Sequence, residues 1–166
     1  MVPMESGTGA DLRAIWGAGE AEASVVYAVG LGGVALRITS NTPIVENVGG
    51  ETDLFGVWVA DEEESLVVAV GASGAFALRE DTRWHVYKIT LGDLHDVHGG
   101  AAGVIAVGEG GRAFTYEGPA DGWRPSWTGS EATLRGVWVG EDGSGGPRVF
   151  AVGDGGTILE LCLLYT

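Results

Sequence analysis

The chain has 166 residues, 45% of them hydrophobic, which is enough for one domain to bury a core without staples. Its formal net charge of -14 repels phosphate backbones and anionic membrane surfaces, which argues against nucleic acid and lipid as partners. The single cysteine, Cys162, excludes an internal disulfide framework. No apolar run approaches the ~20 residues of a membrane helix, and Met1 to Ala10 carry no pattern of a secretion signal.

In chain order, each predicted unit begins at a leucine, the first being Leu12. The other leucines of this kind are Leu54, Leu94 and Leu134, spaced 42, 40 and 40 residues apart from the first onward. A period of about 40–45 residues is typical of a propeller blade with four strands. We therefore expect one domain over residues 1–166, with repeats at 11–52, 53–92, 93–132 and 133–166.

Within each unit, the sequence Ala-Val-Gly marks the end of the second strand. The four copies begin at Ala28, Ala69, Ala106 and Ala151. An apolar run precedes each copy, and a further glycine and a second apolar run follow it, which predicts two strands joined by a glycine turn. We name the strands a to d: strand a starts at the leucine, b ends in Ala-Val-Gly, c follows the turn and d is more polar. The glycines are expected to supply positive-φ turn residues.

The last repeat ends after strand c, and the beginning of the chain offers the missing strand d. Val2 to Gly7 precede Asp11 and Leu12 much as Pro43 to Asn47 precede Asp53 and Leu54. The favoured prediction is an all-β propeller with four blades per chain, closed by a strand at residues 1–7. Two alternatives stay open: two chains forming an eight-bladed ring as a homodimer, or a fragment of a larger propeller.

The repeat resembles bacterial β-propeller repeats of the bacterial neuraminidase and photosystem II assembly factor types. The resemblance rests on Leu-x-x-Val-Trp, on Val-x-Ala-Val-Gly-x-x-Gly and on a degraded Asp-Gly-x-x-Trp element, which survives as Asp121-Gly122-Trp123. It covers nearly all of the chain and implies a propeller fold and export, although the chain shows no signal peptide and its compartment stays open. The fold implies no particular function, because propellers are scaffolds for many unrelated sites.

The third repeat departs from the others in strand a. Asp96 and His98 replace a small residue and a tryptophan, and residues two apart on a strand point the same way. A carboxylate beside an imidazole suits a proton relay or a metal site. The other interpretation is a hydrogen-bonded polar pair between blades, which is the usual state of buried polar groups.

Three aspartates precede the leucines: Asp11, Asp53 and Asp93. If they ring the channel mouth, their oxygens suit a hard cation such as calcium; otherwise they cap turns through the backbone. The repeated tryptophans, Trp16, Trp58 and Trp138, indicate packing between blades, with an aromatic sugar platform as the alternative.

The a-to-b loops carry eight acids on one face: Glu20, Glu22, Asp61 to Glu64, Glu141 and Asp142. Such loops suit a basic protein partner or simple solvation. Our leading hypothesis is a non-enzymatic binding scaffold for a protein, glycan or cation, without a resident cofactor. The alternatives are a glycan-processing or metal-dependent enzyme using Asp96 and His98, and an assembly subunit of a larger ring.

Overall fold

A computed structural model describes residues 3–20, 24–61 and 63–160. Those residues form fifteen strands in four antiparallel sheets, so the all-β prediction is confirmed.

Sheet 1 comprises β1 (Leu12–Ala18), β2 (Val25–Gly30), β3 (Val34–Thr39) and β4 (Thr42–Asn47). Sheet 2 comprises β5 (Leu54–Val59), β6 (Val67–Gly71), β7 (Ala75–Glu80) and β8 (Arg83–Lys88). Sheet 3 comprises β9 (Leu94–Gly100), β10 (Gly103–Gly108), β11 (Ala113–Tyr116) and β12 (Trp123–Ser126). Sheet 4 comprises β13 (Leu134–Glu141), β14 (Pro147–Gly153) and β15 (Thr157–Glu160).

A short 3₁₀ turn joins strands b and c in every sheet, as in Leu31–Gly33 and Glu109–Gly111. The middle residue of each turn has a positive φ, for example +69° at Gly32, as expected from the glycine pattern. Ser73 adopts the same conformation in sheet 2 with a φ of +54°, so this position tolerates a short polar side chain.

The glycine of Ala-Val-Gly has a different role from the predicted one. Gly71 is extended, with a φ of -173°, and it needs no left-handed conformation. A Cβ placed there would lie 2.0 Å from the carbonyl oxygen of Asp53. That oxygen accepts a 2.9 Å hydrogen bond from the amide of Ala72. Glycine is therefore required because the backbone just ahead of strand a presses against the b–c turn, and the same contact recurs in all four sheets.

Successive sheets pack face to face. We call the face that meets the next sheet along the chain the forward face, and the opposite one the rear face. In the first interface, Tyr27 and Val29 of sheet 1 pack with Leu54 and Val57 of sheet 2, and all four side chains are almost inaccessible. Equivalent clusters join sheets 2 and 3 and sheets 3 and 4. Burial of these apolar faces is the main stabilising term available to the fold.

The stack is curved, because the a strands gather on one side of it. The ring of Trp16 in sheet 1 lies edge-on to the ring of His98 in sheet 3, with 4.7 Å between their centroids. In a straight stack, sheet 2 would hold these residues far apart, since each sheet adds about 10 Å. This curvature is consistent with a propeller. No helix among residues 3–20, 24–61 and 63–160 is long and apolar enough to cross a membrane.

The predicted closure by the N-terminal segment is not seen in the described residues. Residues 3–7 form no strand, and sheet 4 has three strands among the described residues. Residues 1–2, at the start of the predicted closing strand, and residues 161–166, at the end of the fourth repeat, lie outside the described part. The outward faces of the first and last sheets are partly open to solvent, with Ile15 67% and Ile158 73% exposed.

Replacing the Ala-Val-Gly glycine of sheet 2 tests the backbone contact. We expect Gly71→Ala to lower the free energy of unfolding by about 3 kcal/mol, because the added methyl group overlaps the Asp53 carbonyl. Gly32→Ser is the matched control, because it introduces the residue that sheet 2 already carries at the equivalent turn position. Chemical denaturation should show a loss below about 1 kcal/mol for this control. Equal losses in the two variants would contradict the assigned contact.

Candidate functional site

A cleft of about 910 Å³ opens where the a–b loop and the c–d turn of sheet 2 meet sheet 3. Its residues are Arg37, Glu63, Glu64, Ser65, Leu66, Leu78, Arg79, Glu80, Asp81, Thr82, Gly103, Val104, Tyr116, Gly118 and Pro119. Because strands a and c both run toward this end of the sheets, the a–b loops and c–d turns share one face. The acidic face expected from the sequence is therefore the face that contains the cleft.

One wall of the cleft is formed by a network of charged and aromatic side chains that we call the Glu64 cluster. It consists of Tyr27, Arg37, Glu46, Glu64, Arg79 and Trp84. Glu64 accepts hydrogen bonds from Tyr27 Oη, from Arg37 Nε at 2.8 Å and from Arg79 Nη1 at 3.1 Å. Two glutamates thus balance two arginines inside the interface of sheets 1 and 2.

Glu46 completes the cluster from strand d of sheet 1. Both of its carboxylate oxygens accept 3.0 Å bonds from Arg79, and Trp84 Nε1 donates to it at 2.7 Å. Such a bidentate pair fixes the guanidinium in one orientation. The side chain of Arg79 is only 8% exposed, so the pair is held largely away from water.

The electrostatics of the cluster keep Glu64 ionised. Burial favours the neutral carboxyl group, but the hydrogen bonds from Arg37 and Tyr27 outweigh it and hold the pKa of Glu64 below its ordinary value. Burial and the bond to Glu64 raise the pKa of the Tyr27 phenol, so Tyr27 acts as a donor. This wall of the cleft is a fixed, internally neutral arrangement.

The remaining lining combines an apolar floor with acids at the rim. Leu78, Val104 and Tyr116 are buried, whereas Glu63, Glu80 and Asp81 are exposed. Burial, followed by the charge of Glu80, raises the pKa of Tyr116, which keeps its hydroxyl group protonated. Since the arginines are bound to Glu46 and Glu64, the rim acids give the cleft its negative charge.

Asp96 and His98 lie elsewhere, between sheets 3 and 4. They share one face of β9, as their spacing predicts, and both accept hydrogen bonds from the backbone of β13. Asp96 Oδ2 accepts from the Val137 amide at 2.8 Å, and His98 Nδ1 accepts from the Val139 amide at 3.2 Å. Burial lowers the pKa of His98, which favours its neutral, accepting form. The pair therefore holds two neighbouring strands together.

The aspartates ahead of the leucines also join sheets. Asp53 Oδ1 accepts a 2.9 Å bond from the Gly32 amide, in the b–c turn of the preceding sheet. Asp93 Oδ1 accepts a 2.8 Å bond from the Ser73 amide in the same way. The Asp11 side chain is 75% exposed and lies 3.9 Å from Arg13. In the described part of the chain, no three or more His, Cys, Asp or Glu side chains are grouped to hold a metal ion.

No protein-family model matches the chain, and no curated protein matches it. The residues themselves therefore carry the functional argument.

The structure brings together a different set of residues from those expected. Asp96 with His98, and each of the three aspartates, occupy separate places, whereas Arg37, Glu64 and Arg79 converge at the cleft. The repeat pattern alone assigns no role to these arginines. A signal was present, because Arg37 interrupts an apolar run in strand c and Arg79 directly follows one. A cation in or beside such a run requires a partner.

The partly buried carboxyl group of Asp96 makes stability depend on pH. Burial raises its pKa, against opposing bonds from the Val137 and Val97 amides. The folded chain therefore holds this proton more tightly than the unfolded chain. The resulting stabilisation is complete below about pH 3.9 and is lost as pH rises through the folded-state pKa. Asparagine does not titrate, so the Asp96→Asn variant lacks this pH-dependent loss. We therefore expect the free energy of unfolding of the variant minus that of the wild type to rise between about pH 4 and pH 7.

Urea denaturation at several pH values measures this difference, with Glu131→Gln as an exposed control. A difference between Asp96→Asn and wild type that stays constant or falls over this range would contradict the assigned environment of Asp96.

Proposed function

We propose that the protein is a non-enzymatic binding module whose cleft takes a segment of a partner protein that carries arginine or lysine side chains. The observation that supports this most directly is the combination of an apolar floor with an acidic rim. The floor matches the aliphatic stem of a long basic side chain, and the rim matches its charged end.

The Glu64 cluster supports the proposal by fixing the shape of the wall. Its charges are already paired, so they need no ligand for compensation. A basic ligand would contact Glu63, Glu80 and Asp81 at the rim, where the carboxylates are exposed. The net charge of -14 adds a long-range attraction for a cationic partner.

The same proposal treats the four sheets as blades of a propeller. Four antiparallel sheets with a repeat of about 40 residues, packed face to face along a curved stack, support it. The similarity of the repeat to bacterial neuraminidase-type propeller repeats agrees with it. In such an array the loops at one end of the sheets are free to form a site.

The other expected functions have less support. Asp96 and His98 are hydrogen-bonded to the backbone of β13, a use that leaves neither poised as a base or ligand. Trp16 and Trp58 pack between sheets and not on an open sugar-binding surface. The carboxylates of Asp53 and Asp93 are bound to separate turns.

Reversing one rim charge tests the cleft. We expect Glu63→Lys to weaken binding of a labelled peptide of alternating arginine and leucine about tenfold, measured by fluorescence anisotropy. Glu131→Lys is the matched control, since it makes the same charge change at an exposed site among the d–a connections. It should alter the affinity less than about twofold.

The peptide should also bind more tightly than one containing arginine alone, because the floor is apolar. Its association rate should fall as salt screens the rim. Equal effects of the two substitutions would show attraction to overall charge and would overturn the cleft assignment.

A further inference from the structure

The forward face of sheet 4 is exposed to solvent, whereas the equivalent face of sheet 2 is buried under sheet 3. Ile158 pairs with Val152 as Phe76 pairs with Val70 in sheet 2. Phe76 is 3% exposed beneath sheet 3, whereas Ile158 is 73% exposed. Trp138 occupies the position of Trp58 and is likewise open to solvent.

The rear face of sheet 1 shows the complementary pattern. Ile15 pairs with the alanine of Ala-Val-Gly, as Val57 does in sheet 2. Val57 is 3% exposed under sheet 1, whereas Ile15 is 67% exposed. Leu12 is also partly exposed, although its counterparts in the other sheets are fully buried. The two end faces are thus the two halves of an interface that the chain already forms three times.

The donor and acceptor positions of a hydrogen bond between neighbouring sheets also lie on opposite ends of the array. In two interfaces, the aspartate ahead of the leucine accepts a bond from the preceding b–c turn, as in Asp53 with Gly32 and Asp93 with Ser73. Asp11 is the equivalent acceptor at one end, and the amide of Gly155 is the equivalent donor at the other. The Asp11 carboxylate is 75% exposed, so it is accessible to a donor from another chain.

The two faces also carry the residue types of a close tryptophan–glycine contact. Trp58 lies against Gly99 of the next sheet, so closely that a Cβ at Gly99 would fall 2.4 Å from the indole ring. Gly17 follows Trp16 in β1 as Gly99 follows His98 in β9, and it faces the rear. The Trp138 ring lies over Gly140 of its own sheet, where a Cβ would fall 2.1 Å from the indole. Docking therefore requires this ring to turn toward Gly17 of the other copy, as Trp58 turns toward Gly99.

We infer that these two faces form a head-to-tail contact between two copies of the chain. The rear face of sheet 1 in one copy packs on the forward face of sheet 4 in the other. A second copy is the occupant because the contact continues an interface built from the same repeat. Within one chain the two faces do not cover each other, since Ile15 and Ile158 remain 67% and 73% exposed. Strand d leads directly into the next strand a in sheets 1 to 3, so docking brings Pro3 to Gly7 of one copy beside β15 of the other. This inference does not depend on the cleft.

Light scattering after size exclusion tests the contact. The wild-type chain should assemble above its 17.1 kDa monomer mass in a concentration-dependent way. Ile15→Asp and Ile158→Asp each block one face, and both side chains are exposed, so folding should be unaffected. Each variant alone should be monomeric. Leu91→Asp, at a 95% exposed position in the connection from sheet 2 to sheet 3, should assemble as wild type does.

Mixing the two variants separates a head-to-tail contact from other arrangements. Each variant keeps one intact face, so a mixture should contain a complex of one Ile15→Asp chain and one Ile158→Asp chain, at twice the monomer mass. A wild-type chain that stays monomeric at about 200 μM would overturn the inference, since even a weak contact with a Kd near 100 μM would then be visible. Assembly blocked by only one of the two substitutions would also overturn it, because it would indicate pairing of identical faces.

Discussion

The structure depends on one backbone contact repeated in every sheet. The carbonyl group just ahead of strand a lies against the glycine of Ala-Val-Gly and accepts a hydrogen bond from the next amide, as Asp53 does with Ala72. This contact fixes where strand a begins relative to the b–c turn. Where the residue carrying that carbonyl is an aspartate inside the array, its side chain reaches back to the preceding sheet. One residue thus sets the register within a sheet and the spacing between sheets.

Regular spacing between sheets explains both the site and the open ends. Because the faces are repeated, a change in one interface has local effects. The Glu64 cluster replaces apolar contacts with paired charges between sheets 1 and 2, and the neighbouring loops enclose the cleft. Asp96 and His98 adapt the interface of sheets 3 and 4 with bonds to the backbone. The same repetition leaves an unpaired apolar face at each end of the array.

The strands were predictable from the sequence because glycine turns and apolar runs recur with a constant period. The direction of Asp96 and His98 was predictable for the same reason, since alternation fixes which side chains share a face. The role of Gly71 was not predictable. In the sequence, a glycine that is required because a side chain would clash looks the same as a glycine that is required for a turn. The cleft was also hidden, since Tyr27, Arg37, Glu64 and Arg79 come from different sheets and only packing brings them together. The acids of the a–b loops marked the face on which the cleft lies, but not that Glu64 is enclosed.

Amide hydrogen exchange tests the repeated contact most directly. The amides of Leu31, Ala72 and Glu109 donate to carbonyl groups at the start of strand a in their own sheets. If this contact organises the array, they exchange about a thousandfold or more slowly than in an unfolded chain, which corresponds to about 4 kcal/mol of protection. Exchange of these three amides at unfolded rates, in a chain whose strand amides are protected, would contradict the account.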